Sequence, residues 1–313
     1  MADPPRRISP ATAFFAFLAL ALGIALYLKT RPAERVPAPA PHAPRRAERR
    51  PPPHREPTAA PTAAPTAVPG PSPAAPSPAR ARIAIVIDDL GNDREALERI
   101  ARWPYRVAGA VLPILPDSGD AARRLASSGK EVLLHLPMEP DGYPRVKPGP
   151  GVVLRSDSDE RIEKTVAEDL DSVPGAVGVN NHMGSAATAD PRVMRAVVRV
   201  LSERGLFLLD SRTSEATVAR RIADEASLPA VSRRVFLDAV ETPDGVEKAF
   251  RDLIRKARTD GPALAIGHPH PATLALLERE LPRLAGENVE LVTVTSLTRV
   301  ARAPTPKARV ASN

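Results

Sequence analysis

The stretch that decides the fold is 83-IAIVIDDLG-91. Five apolar residues, four of them β-branched, run without interruption into two adjacent aspartates and a Leu-Gly turn. An unbroken apolar run of this length is the mark of a strand buried on both faces, and such strands belong to parallel sheets covered by helices. The same pattern recurs in VAGAVL (107–112), EVLLHL (131–136), AVGV (176–179), LFLL (206–209), VFL (235–237), LAIG (264–267) and ELVTV (290–294). Amphipathic stretches at about 93–102, 117–128, 158–172, 191–203, 214–227, 243–259 and 272–285 lie between them and predict helices. Ser158, Asp190-Pro191 and Pro243-Asp244 supply helix-start signals. Eight strand runs alternating with helices predict an α/β fold. Its form is a (β/α) barrel, distorted and TIM-like, of seven or eight strands, with an open doubly wound sheet as the second choice.

The residues that follow the strand runs carry chemistry: Asp88-Asp89, His135, Asn181-His182, Asp210, Asp238, His268 and His270. In parallel α/β folds the carboxyl ends of the strands form one rim, and that rim holds the active site. All four histidines of the region 83–300 fall there. A single histidine at a strand end is ordinarily structural; four beside three aspartate positions predict a functional site. Asp88 and Asp89 repel one another unless a cation is bound, which divides them into a metal ligand and a base. His135 and Glu139 stand four apart in HLPME, a spacing that serves one metal if the chain turns at Pro137. The chain has no cysteine. That excludes disulfides, thiolate zinc sites and a cysteine nucleophile. Imidazole and carboxylate without thiolate suit a catalytic divalent metal, Zn2+ first among them.

Working outward, the 313-residue chain has a net charge of +7, but the charge is uneven. Residues 1–82 hold 12 Lys/Arg against 4 Asp/Glu, whereas 83–300 are slightly acidic. The folded region is therefore not a nucleic-acid binder. Ala11 to Leu28 is a run of 18 residues without a charge, about 27 Å as a helix and enough to cross a bilayer. No small-x-small cleavage site follows it, so residues 1–29 read as an uncleaved signal anchor at the inner membrane. The long polar chain beyond predicts a single-pass protein whose folded part is exported to the periplasm. Residues 30–82, rich in Pro and Ala, read as a disordered tether, and 301–313 as a disordered tail. No GxxxxGK[ST], GxGxxG or GxSxG occurs, which removes phosphate-cradle and serine-hydrolase readings. A two-carboxylate glycosidase has its aspartates here but no use for four histidines.

The blocks IAIVIDDLG, AVLP, SGKEVLLHLPMEP, GVNNHMGS, LFLLDSRT, VFLD and AIGHPHP, in that order across 83–300, resemble the divergent polysaccharide deacetylase family. This family is a branch of the NodB-like glycoside hydrolase/deacetylase superfamily. The resemblance implies that Asp88 is the catalytic base and Asp89 a metal ligand. His135 matches the first histidine of the family's metal motif. Glu139 stands in place of the second, with His182 as the other source of a ligand. His268 matches the late histidine that acts as general acid, with His270 in reserve. Asn181 is implied as an oxyanion donor and Asp210 as the partner of a histidine, with Asp238 beside them on the rim. The reaction implied is metal-assisted removal of an acetyl group, amide or ester, from a carbohydrate such as peptidoglycan. The competing reading is a non-catalytic, metal-binding envelope module that docks a wall-remodelling protein partner.

Overall fold

The computed structural model describes residues 80–300, with side chains through residue 298. The expected anchor (1–29), all but the last three residues of the tether, and the tail (301–313) lie outside the described residues. Among the described residues no helix is long and apolar enough to cross a membrane.

The run at Ile83 forms the central strand, β1 (Ala81–Leu90), two residues earlier at its start than the apolar pattern indicates. It is followed by β2 (Ala108–Val111), β3 (Val132–Met138), β4 (Ala176–Met183), β5 (Phe207–Asp210), β6 (Ala230–Ser232), β7 (Val235–Phe236), β8 (Ala263–Gly267) and β9 (Val289–Leu291). All pairings are parallel. The order is β6-β5-β4-β3-β2-β1-β8-β7, with β9 beside the lower end of β1. The sequence of strands runs around the sheet without the reversal that a doubly wound sheet requires. It returns to β1 through β8, and the two ends of the path, β6 and β7, are separated by only Arg233 and Arg234. The architecture is a parallel α/β sheet curled into a partial barrel.

Helices α1 (Arg94–Ala101), α2 (Ser118–Ser127), α3 (Asp159–Ser172), α4 (Pro191–Glu203), α5 (Ala219–Glu225), α6 (Pro243–Thr259) and α7 (Pro271–Glu280) connect the strands. Asp93, Ser158, Asp190 and Thr242 cap the starts of α1, α3, α4 and α6 by accepting backbone N–H bonds. Three features depart from the sequence pattern. The short β6 is an added strand. Helix α5 begins only at Ala219, because Val218 N–H bonds outward to Thr188 O. The last apolar run is only half strand, and Val294–Val300 form an eighth helix, α8. The Glu131 carboxylate accepts the N–H groups of Val294 and Thr295 and holds the start of α8 beneath β3.

Alternation along the strands makes two cores. Ile83, Ile85 and Ile87 pack outward with the helices in the larger one. Ala84, Val86, Ala108, Ala110, Leu133, Phe207, Leu209, Leu264 and Ile266 fill the inside of the curl, and Val292, Val294 and Leu297 close its lower end. The inside is narrow, so its residues alternate small and large. A Cβ on Gly178 of β4 would collide with the Phe207 ring.

Candidate metal centre and acid–base site

The site is the top layer of that inner column. Two residues beyond the last inward apolar side chain of β1, β3, β5 and β8 stand Asp88, His135, Ser211 and His268. On β4, where Gly178 yields its place to Phe207, the next inward residues are Asn180 and His182. The period-2 pattern of the strands thus delivers polar groups from different strands to one point. Asp89 would point away in a regular strand. Its left-handed backbone (φ 58°) and a register shift between Ile87 and Leu90 turn its carboxylate back toward the centre.

Asp89, His135 and His182 converge. Asp89 Oδ1 lies 3.1 Å from His135 Nε2 and 3.0 Å from His182 Nδ1, and the two ring nitrogens are 3.1 Å apart. Asn180 sets the tautomer of His135. Its Nδ2 donates to both oxygens of Asp88 (2.9 and 3.0 Å), which leaves Oδ1, 3.0 Å from His135 Nδ1, as the acceptor. The neutral His135 ring therefore carries its proton on Nδ1 and a lone pair on Nε2, the form that binds a metal. That lone pair faces a second ring nitrogen and a carboxylate oxygen which, though buried, has no hydrogen-bond partner. Two ring nitrogens and a carboxylate oxygen at these separations must share a proton or a cation, and the donor set fits a divalent metal. Ligands about 2.1 Å from one tetrahedral centre stand roughly 3.4 Å apart, a few tenths of an ångström beyond the separations here. The two rings also hold Asp89 well below the usual carboxylate range, against the effect of burial.

Asp88 is 2% exposed, and its Oδ2 is 3.6 Å from His135 Nε2. Burial pushes its pKa up, the direction a base working near neutrality requires. Across the rim, His268 Nε2 stands 3.9 Å from Asp89 Oδ2. Its Nδ1 is 3.0 Å from Asp238 Oδ1, while Asp238 Oδ2 accepts the His268 backbone N–H (2.6 Å) and the Thr273 hydroxyl (2.9 Å). Burial opposes a charged ring at His268, but the Asp238 carboxylate outweighs it and the pKa rises. Asp238 itself is lowered by those bonds, despite its burial. Asp238, His268 and His270 also lie within 4.8 Å of one another. The Asp238 carboxylate is already spent on three donors, so it is an orienting group.

The remaining sequence-predicted residues sit outside the centre. Glu139 binds the backbone N–H (2.7 Å) and the guanidinium of Arg155 (Nε, 2.9 Å), and so braces the loop after β3. Asp210 accepts Arg212 N–H (2.9 Å) and the Thr217 hydroxyl (3.3 Å), with no histidine among its partners. Orientation of a histidine falls to Asp238 instead. Asn181 donates to Met183 O and Thr213 Oγ1 and accepts Ser211 N–H, which fixes the ends of β4 and β5 to one another and occupies its amide. His270 faces Glu241 at 3.8 Å. The residue that sequence reasoning passed over is Asn180. Its signal was parity, since 178, 180 and 182 share one face of β4.

Fold and site together define a parallel α/β protein with a His/carboxylate cluster on the carboxyl rim of its sheet. Residues 85–298 match the divergent polysaccharide deacetylase family, and the chain belongs to it. It is 37% identical over 229 residues to an uncharacterized protein of Haemophilus influenzae, spanning 73% of this chain and 81% of that one. It is 36% identical over 226 residues to the Escherichia coli uncharacterized protein YibQ, 72% and 70% of the two chains. Among solved structures, an uncharacterized protein from Agrobacterium tumefaciens C58 superposes with a TM-score of 0.68 at 26% identity, over 72% of this chain and 92% of that one.

Proposed function

We propose that the domain is a metal-dependent hydrolase that removes acetyl groups from a cell-envelope carbohydrate. The observation that carries this reading is the pairing, across one rim, of a buried carboxylate (Asp88) and a carboxylate-oriented imidazole (His268), on either side of three converging ligand atoms. Asp89, His135 and His182 would hold the ion, Zn2+ by the character of the donors. Such an ion supplies Lewis acidity to a carbonyl and lowers the pKa of water.

The chain's own groups then divide the proton work. Asp88, fixed by Asn180 Nδ2, takes a proton from the water that attacks the acetyl carbon. His268, charged through Asp238, gives its Nε2 proton to the departing sugar nitrogen or oxygen. Acetate and the free amine or hydroxyl are the products. Asn180 thus holds the base with one end of its amide and the tautomer of His135 with the other. The uncharged run 11–28 serves as the membrane anchor and the Pro-rich segment as a spacer, which places the domain in the periplasm within reach of peptidoglycan.

Asp88→Asn tests the reading. The change leaves Asp89, His135 and His182 untouched, so metal content stays the same while acetate release falls by at least about 100-fold, the contribution expected of a positioned base. Undiminished release would remove Asp88 from the reaction.

A further inference from the structure

The mechanism above leaves one charged group of the inner column unused. Arg233 lies in the two-residue step between β6 and β7. Val231 and Phe236 on either side of it pack with the inner core, and Arg233 shares the inward parity of Val231. Its guanidinium is held in place: Nε donates to Ser211 O at 2.6 Å and Nη2 to Arg212 O at 2.8 Å. The group sits over the Phe236 ring, with Cζ 4.5 Å from the centroid. That ring in turn stacks on His268, with centroids 5.4 Å apart and planes 18° from parallel. The cation is therefore one ring removed from the proposed acid, and its charge is felt at Asp88 and Asp210.

What Arg233 lacks is an anion. No carboxylate lies within 4.0 Å of it among the described residues, and it is half-buried. Every other arginine between residues 80 and 298 that lacks a carboxylate partner is exposed to solvent. Two of its five N–H donors are used on carbonyls, and Nη1 meets no acceptor among the described residues. A partly desolvated guanidinium, rigidly mounted and short of a counter-ion, is built to receive a carboxylate.

We propose that Arg233 binds a carboxylate carried by the substrate, so that the preferred substrate is an acidic acetylated saccharide, with the acid group on the sugar that leaves. This rests on the reading that a saccharide occupies the rim. The Phe236 ring that Arg233 covers also stacks on His268, which puts the anion on the leaving-group side. A purely structural Arg233 would only staple the turn at Ser211–Arg212.

The test uses full-length protein loaded with Zn2+ and a matched pair of probes, an N-acetylmuramic acid glycoside and its carboxamide, which differ only in the charge. Calorimetric affinities are expected to favour the acid by about tenfold or more in the native protein. Arg233→Gln, which keeps an N–H for the Ser211 carbonyl, is expected to erase the preference while the carboxamide affinity stays within about twofold. Equal affinity of the native protein for both probes, binding of neither, or equal weakening of both by Arg233→Gln overturns the assignment. Acetate release from the same pair separates the two claims. Preference without release removes the proposed reaction and leaves the anion site, whereas release without preference does the reverse.

Discussion

Asn180 shows how one side chain can organise a centre. An amide has one acceptor and two donors in fixed positions, so binding the Asp88 carboxylate with Nδ2 forces Oδ1 toward His135. Replacement by Ala frees both the base and the tautomer, and a loss of metal affinity of roughly 10- to 100-fold is expected by direct titration. Metal analysis also separates Glu139 from His182. His182→Ala removes one of three converging atoms and is expected to yield protein without stoichiometric metal. Glu139→Ala, which loosens only the Arg155 brace, is expected to keep one ion per chain; the opposite pattern would exchange their roles. Asp238→Asn addresses the acid. The His268 pKa is raised by Asp238, so loss of that charge lowers it, and the ring gives up its proton at lower pH. The alkaline limb of the kcat profile should move down by about one unit, while the acid limb stays in place. An unmoved alkaline limb would dissociate Asp238 from the acid.

At the scale of elements, the strands were legible because burial on both faces leaves an unbroken apolar run, and their carboxyl ends followed from chain direction alone. Parity was the part that required the structure. The sequence marks Asn180 and Asn181 alike, and only registration of β4 against Phe207 shows which faces inward. Asp89 breaks parity through a left-handed residue that nothing in DDLG announces, and β6 is too short for a pattern to register. Helix α3 carries a further feature of this kind. Asp169 is fully buried, neither of its oxygens has a partner, and a Cβ on Gly151 would collide with it. Burial pushes its pKa up to about 8. The folded state therefore holds a proton that the unfolded chain has already released above pH 4, and stability falls as pH rises toward 8 by up to about 1.4 kcal/mol per unit. Asp169→Asn is expected to flatten that slope and raise Tm at pH 8, with little change at pH 4. An unchanged slope in denaturant titrations would show that the carboxyl is ionised in the folded state.

For the molecule as a whole, the strand order, continuous around the sheet and closing on β1 through β8, explains why residues separated by as many as 180 positions meet at one rim. The absence of cysteine acquires a definite consequence in this setting. With no thiolate available, a metal must be held by imidazoles and carboxylates, and the fold gathers all four of the domain's histidines on that rim, two of them beside Asp89. Charge partition, in contrast, was legible without any structure, because 33 of the 37 acidic residues lie within 83–300 while 21 of the 37 prolines lie outside it. The central claim is that hydrolysis of an acetyl group depends on the ion held by Asp89, His135 and His182. It is tested most directly by acetate release from an acetylated glycan, using full-length protein stripped by a chelator and then resupplied with Zn2+. The account predicts no release from the stripped protein and recovery on addition of one equivalent per chain, with no recovery in His182→Ala. Equal release before and after stripping, or no release in any state, would contradict it.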